Sequence, residues 1–292
     1  PTLSYVGLNP AFAFDEKAQQ FKGGLFWDGR APDLESQAGE PILNPIEMAL
    51  PDKESLVDRV GQNPLYRERF EKLYGTDFFD NSEKAFMRIT AAIAAFERTS
   101  FFSPFDSKYD RYLRGEYELT DLEDLGMSIF FSTTNSNCSS CHQLKVMDDE
   151  GETFSNYEYH NIGTPTNRAL RSINGVALNT RDLGLGGRVP AQGAENEGKF
   201  KVPTLRNSAV TGPYMHNGVF RNLRTVIEFY DQYNNPERVN NPETGEPWGV
   251  AEIPDTVNRE DLKAKKLTDR KIDALIAFLN ALTDQRYEGL ID

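Results

Sequence analysis

A mainly α-helical fold is the expectation for this chain, and three observations lead to it. Apolar residues recur at helical spacing in several segments. No run alternates over a length that would build a sizeable sheet. The stretch 143–222 is crowded with glycine and proline, which favours loops. In chain order, Phe86, Ile89, Ile93 and Phe96 share one helical face after Asn81. Thr120-Asp121-Leu122-Glu123 has the form of a capping box, in which the threonine and glutamate satisfy each other's backbone donors. Leu122, Leu125 and Ile129 follow on one face. Leu223, Val226, Ile227 and Tyr230 make another stripe. A last helix from Thr268 is expected to bury Ile272, Leu275, Ile276, Leu279 and Leu282. Pro104, Gly115 and a cluster of charges place a boundary near 103–118, between two helical blocks.

The 292 residues suffice for one large domain or two ordinary ones. Asp and Glu number 45 against 32 Lys and Arg, a net charge of −13, so nucleic acid is excluded as a partner: phosphate binding needs a basic face. The acidity keeps the surface solvated, and it also suits docking of a basic redox protein. No stretch of 18 apolar residues exists, so the chain is not expected to span a membrane.

The two cysteines of the chain both fall in Asn137-Cys138-Ser139-Ser140-Cys141-His142. This C-x-x-C-H spacing is that of a c-type haem attachment site, with two thioether bonds and a histidine placed to reach the iron. A thioredoxin-like motif would lie near a βαβ pattern, which is absent. A zinc site would need a second ligand pair, and His160 and His216 are single and far apart in sequence. A plain disulfide is the remaining rival. For the sixth position, Met215, His216 and Tyr230 are candidates, and Tyr230 on a helix is equally read as a core tyrosine. Trp27 reads as core packing, Glu47 as a surface charge, and Thr211, Gly212 and Pro213 as a turn.

Several segments carry a family resemblance: Gly24-Leu25-Phe26-Trp27-Asp28-Gly29-Arg30-Ala31, Asn44-Pro45-Ile46-Glu47-Met48, Phe105-Asp106-Ser107-Lys108-Tyr109-Asp110, Asn161-Ile162-Gly163, Phe200-Lys201-Val202-Pro203-Thr204-Leu205-Arg206-Asn207 and Pro213-Tyr214-Met215-His216-Asn217-Gly218. Together they resemble the bacterial di-haem cytochrome c peroxidase superfamily, and within it the MauG-like branch (MauG and MbnH type). The resemblance implies a mainly α fold of two cytochrome-c-like haem domains, with long loops wrapping the haems. It implies 1–105 as the remainder of an N-terminal, peroxide-reacting domain and 106–292 as the C-terminal haem domain. The N-terminal haem motif is missing here, so that domain is expected to be incomplete, with one haem c on this chain and a second on a preceding segment.

The resemblance also implies roles. Fourteen residues beyond His216, where peroxidases have methionine, this chain has Tyr230, as the MauG-like branch does. The implied pair is therefore His142 and Tyr230, with Met215 an ordinary apolar contact. Gln37, Pro41 and Glu47 match the distal pocket of the other haem, with Glu47 as the acid–base group. Trp27 matches the tryptophan between the haems. Thr211 and Pro213 match backbone ligands of an inter-haem calcium. Ser136 stands where MauG has a partner-facing tryptophan, so the exit path is expected to differ. The implied activity is periplasmic: hydrogen peroxide oxidises tryptophan or tyrosine of a partner protein over a distance, through a state with both irons at Fe(IV). Its rivals are a peroxidase fed by a small cytochrome or cupredoxin, and a non-catalytic electron carrier.

Overall fold

The computed structural model describes residues 2–144, 151–190 and 193–291. Four helices build the first half: α1 (Leu34–Leu43), α2 (Lys53–Gln62), α3 (Pro64–Tyr74) and α4 (Ser82–Glu97). Each opens on a short polar side chain that accepts from an otherwise orphaned backbone N–H: Asp33, Asp52, Asn63 and Asn81. α5 (Lys108–Leu113) and α6 (Asp121–Phe130) begin with full capping boxes, Ser107 with Asp110 and Thr120 with Glu123. α7 (Arg168–Asn174) and α8 (Leu185–Arg188) are short. α9 (Leu223–Asp231) and α10 (Asp269–Ala281) close the chain, the latter capped by Thr268. Strand structure amounts to two antiparallel pairs among the described residues: β1 (Ala13–Asp15) with β2 (Gln20–Lys22), and β3 (Tyr159–His160) with β4 (Phe200–Lys201). The fold is mostly helical, as the sequence pattern indicates.

The core falls into separate clusters. The largest joins α6, α9 and α10 through Phe130, Ile227, Ile272 and Phe278, with Tyr109 and Phe154 packed in. A Cβ on Gly126 would stand 1.9 Å from the carbonyl oxygen of Ala274, so only glycine lets α6 approach α10 this closely. A second cluster packs Val57 and Phe78 on Ala85, Phe86 and Ile89, and a third joins Leu25, Ala31, Leu34 and Ala94. The largest cluster draws its buried residues from 109–282, the other two from 25–94. The halves are tied by Tyr5 Oη donating to Asp284, by Tyr159 Oη donating to the Gly23 carbonyl (2.6 Å), and by a Lys22–Glu158 ion pair (3.0 Å).

The expected helical faces hold, but burial along them is incomplete, and Ile276 corrects the expectation of a fully buried stripe. Phe96 is exposed: the chain leaves the helix at Arg98 and Phe96 packs on Phe101 and Phe102 at the surface. Leu122 is exposed in the first turn of α6, and Ile276 is only partly buried. The stretch 143–222 is loop-rich but carries α7, α8, β3 and β4, and its residues 145–150 and 191–192 lie outside the described residues.

Candidate functional site

The largest cluster and β3–β4 wall a cavity of about 840 Å³, in the range of a cofactor or drug-sized ligand. Cys138, Cys141, His142, Trp27 and Tyr230 all line it. Cys138 starts a single 3-10 turn, Cys138–Ser140, Cys141 follows its end, and both are free thiols. The disulfide reading is therefore not what the chain adopts here. His142 Nδ1 lies 3.0 Å from the Phe154 carbonyl oxygen. A proton on Nδ1 donates to that carbonyl and keeps Nε2 as the lone-pair donor, the usual arrangement of a metal-binding histidine. Burial pushes the His142 pKa down to about 4, so the imidazole is neutral and able to coordinate.

Tyr230 projects from α9, whose Leu223, Val226 and Ile227 also line the cavity. The stripe read from the sequence thus faces this space as well as the core. Burial raises the Tyr230 pKa, with the two sulfurs adding to the rise, and no hydrogen bond serves its hydroxyl among the described residues. Met215 and His216 line the same cavity, with the His216 ring stacked on Phe200 (3.5 Å between centroids, 10° between planes). Thr211 and Pro213 are on the wall too. Among the described residues neither carbonyl oxygen accepts a hydrogen bond, which leaves both available to a hard cation.

Gln37, Pro41 and Glu47 are not on this wall. They lie along α1 and the turn after it. The Pro41 carbonyl accepts from Met48 N (3.1 Å), and Asn44 Nδ2 donates to Glu47 Oε1 (3.1 Å). Glu47 is exposed, as are its neighbours Ile46 (88%) and Met48 (64%). Gln37 Oε1 is buried with no hydrogen-bond partner.

Sequence reasoning missed the roles of two residues, Lys201 and Arg206, and set a third, His160, aside. Lys201, on β4, lines the cavity without a carboxylate partner among the described residues, and burial lowers its pKa to about 8. Its backbone N–H donates to the Trp27 carbonyl (2.9 Å), tying the tryptophan to the wall. Arg206 is fully buried and grips Asp110 through two 2.8 Å bonds. This single ion pair joins two of the segments quoted above, a link that their separation of 96 residues hid. His160, remote in sequence from the cysteines, sits with Cys141 and Asp261, their donor atoms within 4.8 Å of one another. That is one ligand short of a tetrahedral zinc site.

The wall suits a haem c. It offers two free thiols, a neutral histidine oriented by a carbonyl, an unpartnered phenol and a buried cation facing an apolar space. The family model for di-haem cytochrome c peroxidase matches residues 1–118. The methylamine utilization protein MauG of Paracoccus denitrificans is 49% identical over the whole of this chain and 76% of its own length. The chain belongs to the MauG-like branch of the di-haem cytochrome c peroxidase family. Solved structures of that family agree in fold. The diheme peroxidase BthA of Burkholderia thailandensis superposes with a TM-score of 0.85 at 28% identity, over all of this chain and 73% of that one. A MauG-like protein associated with microbial copper homeostasis gives 0.67 at 28% identity, over 98% of this chain and 75% of that one. As a member of this family the chain is a haem-dependent, peroxide-using oxidoreductase. Among its described residues no helix is long and apolar enough to cross a membrane.

Proposed function

We propose that this protein is a periplasmic MauG-like enzyme that uses hydrogen peroxide to oxidise tryptophan or tyrosine residues of a partner protein at a distance. The observation that carries the reading is Tyr230. Its unpartnered phenol faces the same cavity as the haem-attachment motif, with Trp27 on the same wall. A bound haem supplies redox chemistry that no side chain can perform.

In this reading Cys138 and Cys141 would hold the group covalently, and His142 Nε2 and the Tyr230 oxygen would be its ligands from this chain. With both of those residues engaged, the group would store oxidising power rather than meet peroxide. As a tyrosinate ligand, Tyr230 would favour higher oxidation states of that group. Lys201 would pair with an acidic substituent of that group, which would offset the cost of its burial. Trp27, held by Lys201 N–H, relays electrons towards Gln37, Pro41 and Glu47, where the family's other haem would meet peroxide. Glu47 Oε2 carries the proton in that pocket, while Asn44 holds Oε1. The Thr211 and Pro213 carbonyls would hold a calcium ion. The chain divides at 105/106 between the peroxide-side and storage-side domains.

The net charge of −13 favours a second reading, a peroxidase that draws electrons from a small basic redox protein. Tyr230→Phe in the native holoprotein separates the two. Haem attachment should persist, the tyrosinate spectrum should disappear, and oxidation of the protein substrate should fall to background. Unchanged substrate oxidation in the variant rejects the assigned role.

A further inference from the structure

Ser136 leaves open how electrons reach a closed centre from outside the protein, and the packing around Tyr230 offers a route. The Tyr230 ring meets Phe229 at 6.0 Å between centroids (73°), and Phe229 meets Trp248 at 5.7 Å (68°). Phe220 packs against both Phe229 (5.1 Å) and Trp248 (5.8 Å). The indole and the phenol are therefore no further apart than two ring contacts laid end to end. Trp248 is half-buried and anchored. Its Nε1–H donates to the Arg238 carbonyl (2.7 Å) and its backbone N–H to the Val239 carbonyl (3.3 Å). Val239 and Val250, 61% and 82% exposed, bring this corner to solvent. The sequence has two tryptophans, and the other, Trp27, lies on the cavity wall.

We propose that Trp248 is an electron relay between the protein surface and Tyr230, with Phe229 as the bridging contact. The proposal rests on the reading of Tyr230 as a haem ligand. Tryptophan and tyrosine are the readily oxidised aromatic side chains, whereas phenylalanine only fills the space between them. A backbone carbonyl is too weak a base to take the Nε1 proton, so an indole that gives up an electron here stays a cation radical. Hydrogen peroxide takes up two electrons and two protons to become two waters. Trp248 passes those electrons one at a time, and an external reductant refills it after each. With no reductant, Trp248 itself loses both electrons, water adds one oxygen to the ring, and two protons leave. The balance is then tryptophan plus peroxide giving hydroxytryptophan plus water.

The test mixes native holoenzyme with hydrogen peroxide and no reductant. It reads freeze-quenched EPR and peptide mass, beside the variants W248F and W248Y. The expected result is one added oxygen on the Trp248 peptide, and a tryptophan cation-radical signal that is lost in both variants while their haem spectra stay native. Met48 and Met87 are 64% and 60% exposed and report any freely diffusing oxidant. Oxygen on those methionines with Trp248 unmodified overturns the relay, as does a radical signal unchanged in W248F. Failure of the Tyr230 reading is separable, because Y230F would then keep the native haem spectrum whatever Trp248 does.

Discussion

The cavity walled by Cys138, Cys141, His142 and Tyr230 and the turn after α1 both carry residues that the sequence marks for chemistry, yet they are built differently. At the cavity the marked residues converge from positions 27 to 230 onto one apolar space, each held by packing or by a backbone bond. After α1 they stay local: Glu47 is exposed and Gln37 keeps a buried oxygen without a partner. Buried polar atoms rarely go unsatisfied, so the orphaned Gln37 oxygen marks a place where something else is expected to bind. The difference teaches that a site enclosed by its own core is legible from one chain, whereas a site on an open turn is defined only with the group it faces.

The largest effect expected at the cavity is loss of attachment. Cys138→Ala with Cys141→Ala should abolish covalent haem, read as the absence of haem-shifted mass after denaturation. A mass that still carries haem would remove the motif's assigned role. Arg206→Met probes the support of the same wall. It leaves Asp110 charged and buried, and unpairing a buried ion costs about 3–5 kcal/mol, seen as a lower midpoint of thermal or denaturant unfolding. A pH signature accompanies it. Burial works against the Asp110 charge, but Arg206 and Ser107 outweigh it and hold its pKa below the usual carboxylate range. The stability contributed by this lowered folded pKa is complete above the unfolded value near ~3.9 and drains away as pH falls through the folded value. The native protein should lose that increment below about pH 4, and Arg206→Met should lack this acid-dependent loss.

Glu47→Gln tests the other region and should change stability least, by no more than about 0.5 kcal/mol at so exposed a position. Its effect should fall on reactivity with peroxide, roughly 10²-fold or more if Glu47 moves the proton. A large fall in unfolding midpoint with normal peroxide kinetics would make Glu47 a structural residue and erase the contrast between the two regions.

Caps and helical stripes were legible because they are local. Thr120 with Glu123 and the α10 face need only neighbours within a turn or two. Phe96 lies on the expected helix, but its exposure depends on where the chain goes after Arg98. Lys201 and Arg206 stood within a noticed segment, but nothing local says that one faces a cavity and the other pairs with Asp110.

The sequence by itself determined the helical class, the C-x-x-C-H spacing of Cys138, Cys141 and His142 that points to haem attachment, and the acidic balance, since each depends on spacing or composition alone. Only the tertiary structure decided that Tyr230, Trp27 and Lys201 share that wall while Glu47 does not, and that Trp248 reaches Tyr230 through Phe229. Those are long-range packing outcomes, set by which apolar faces bury one another.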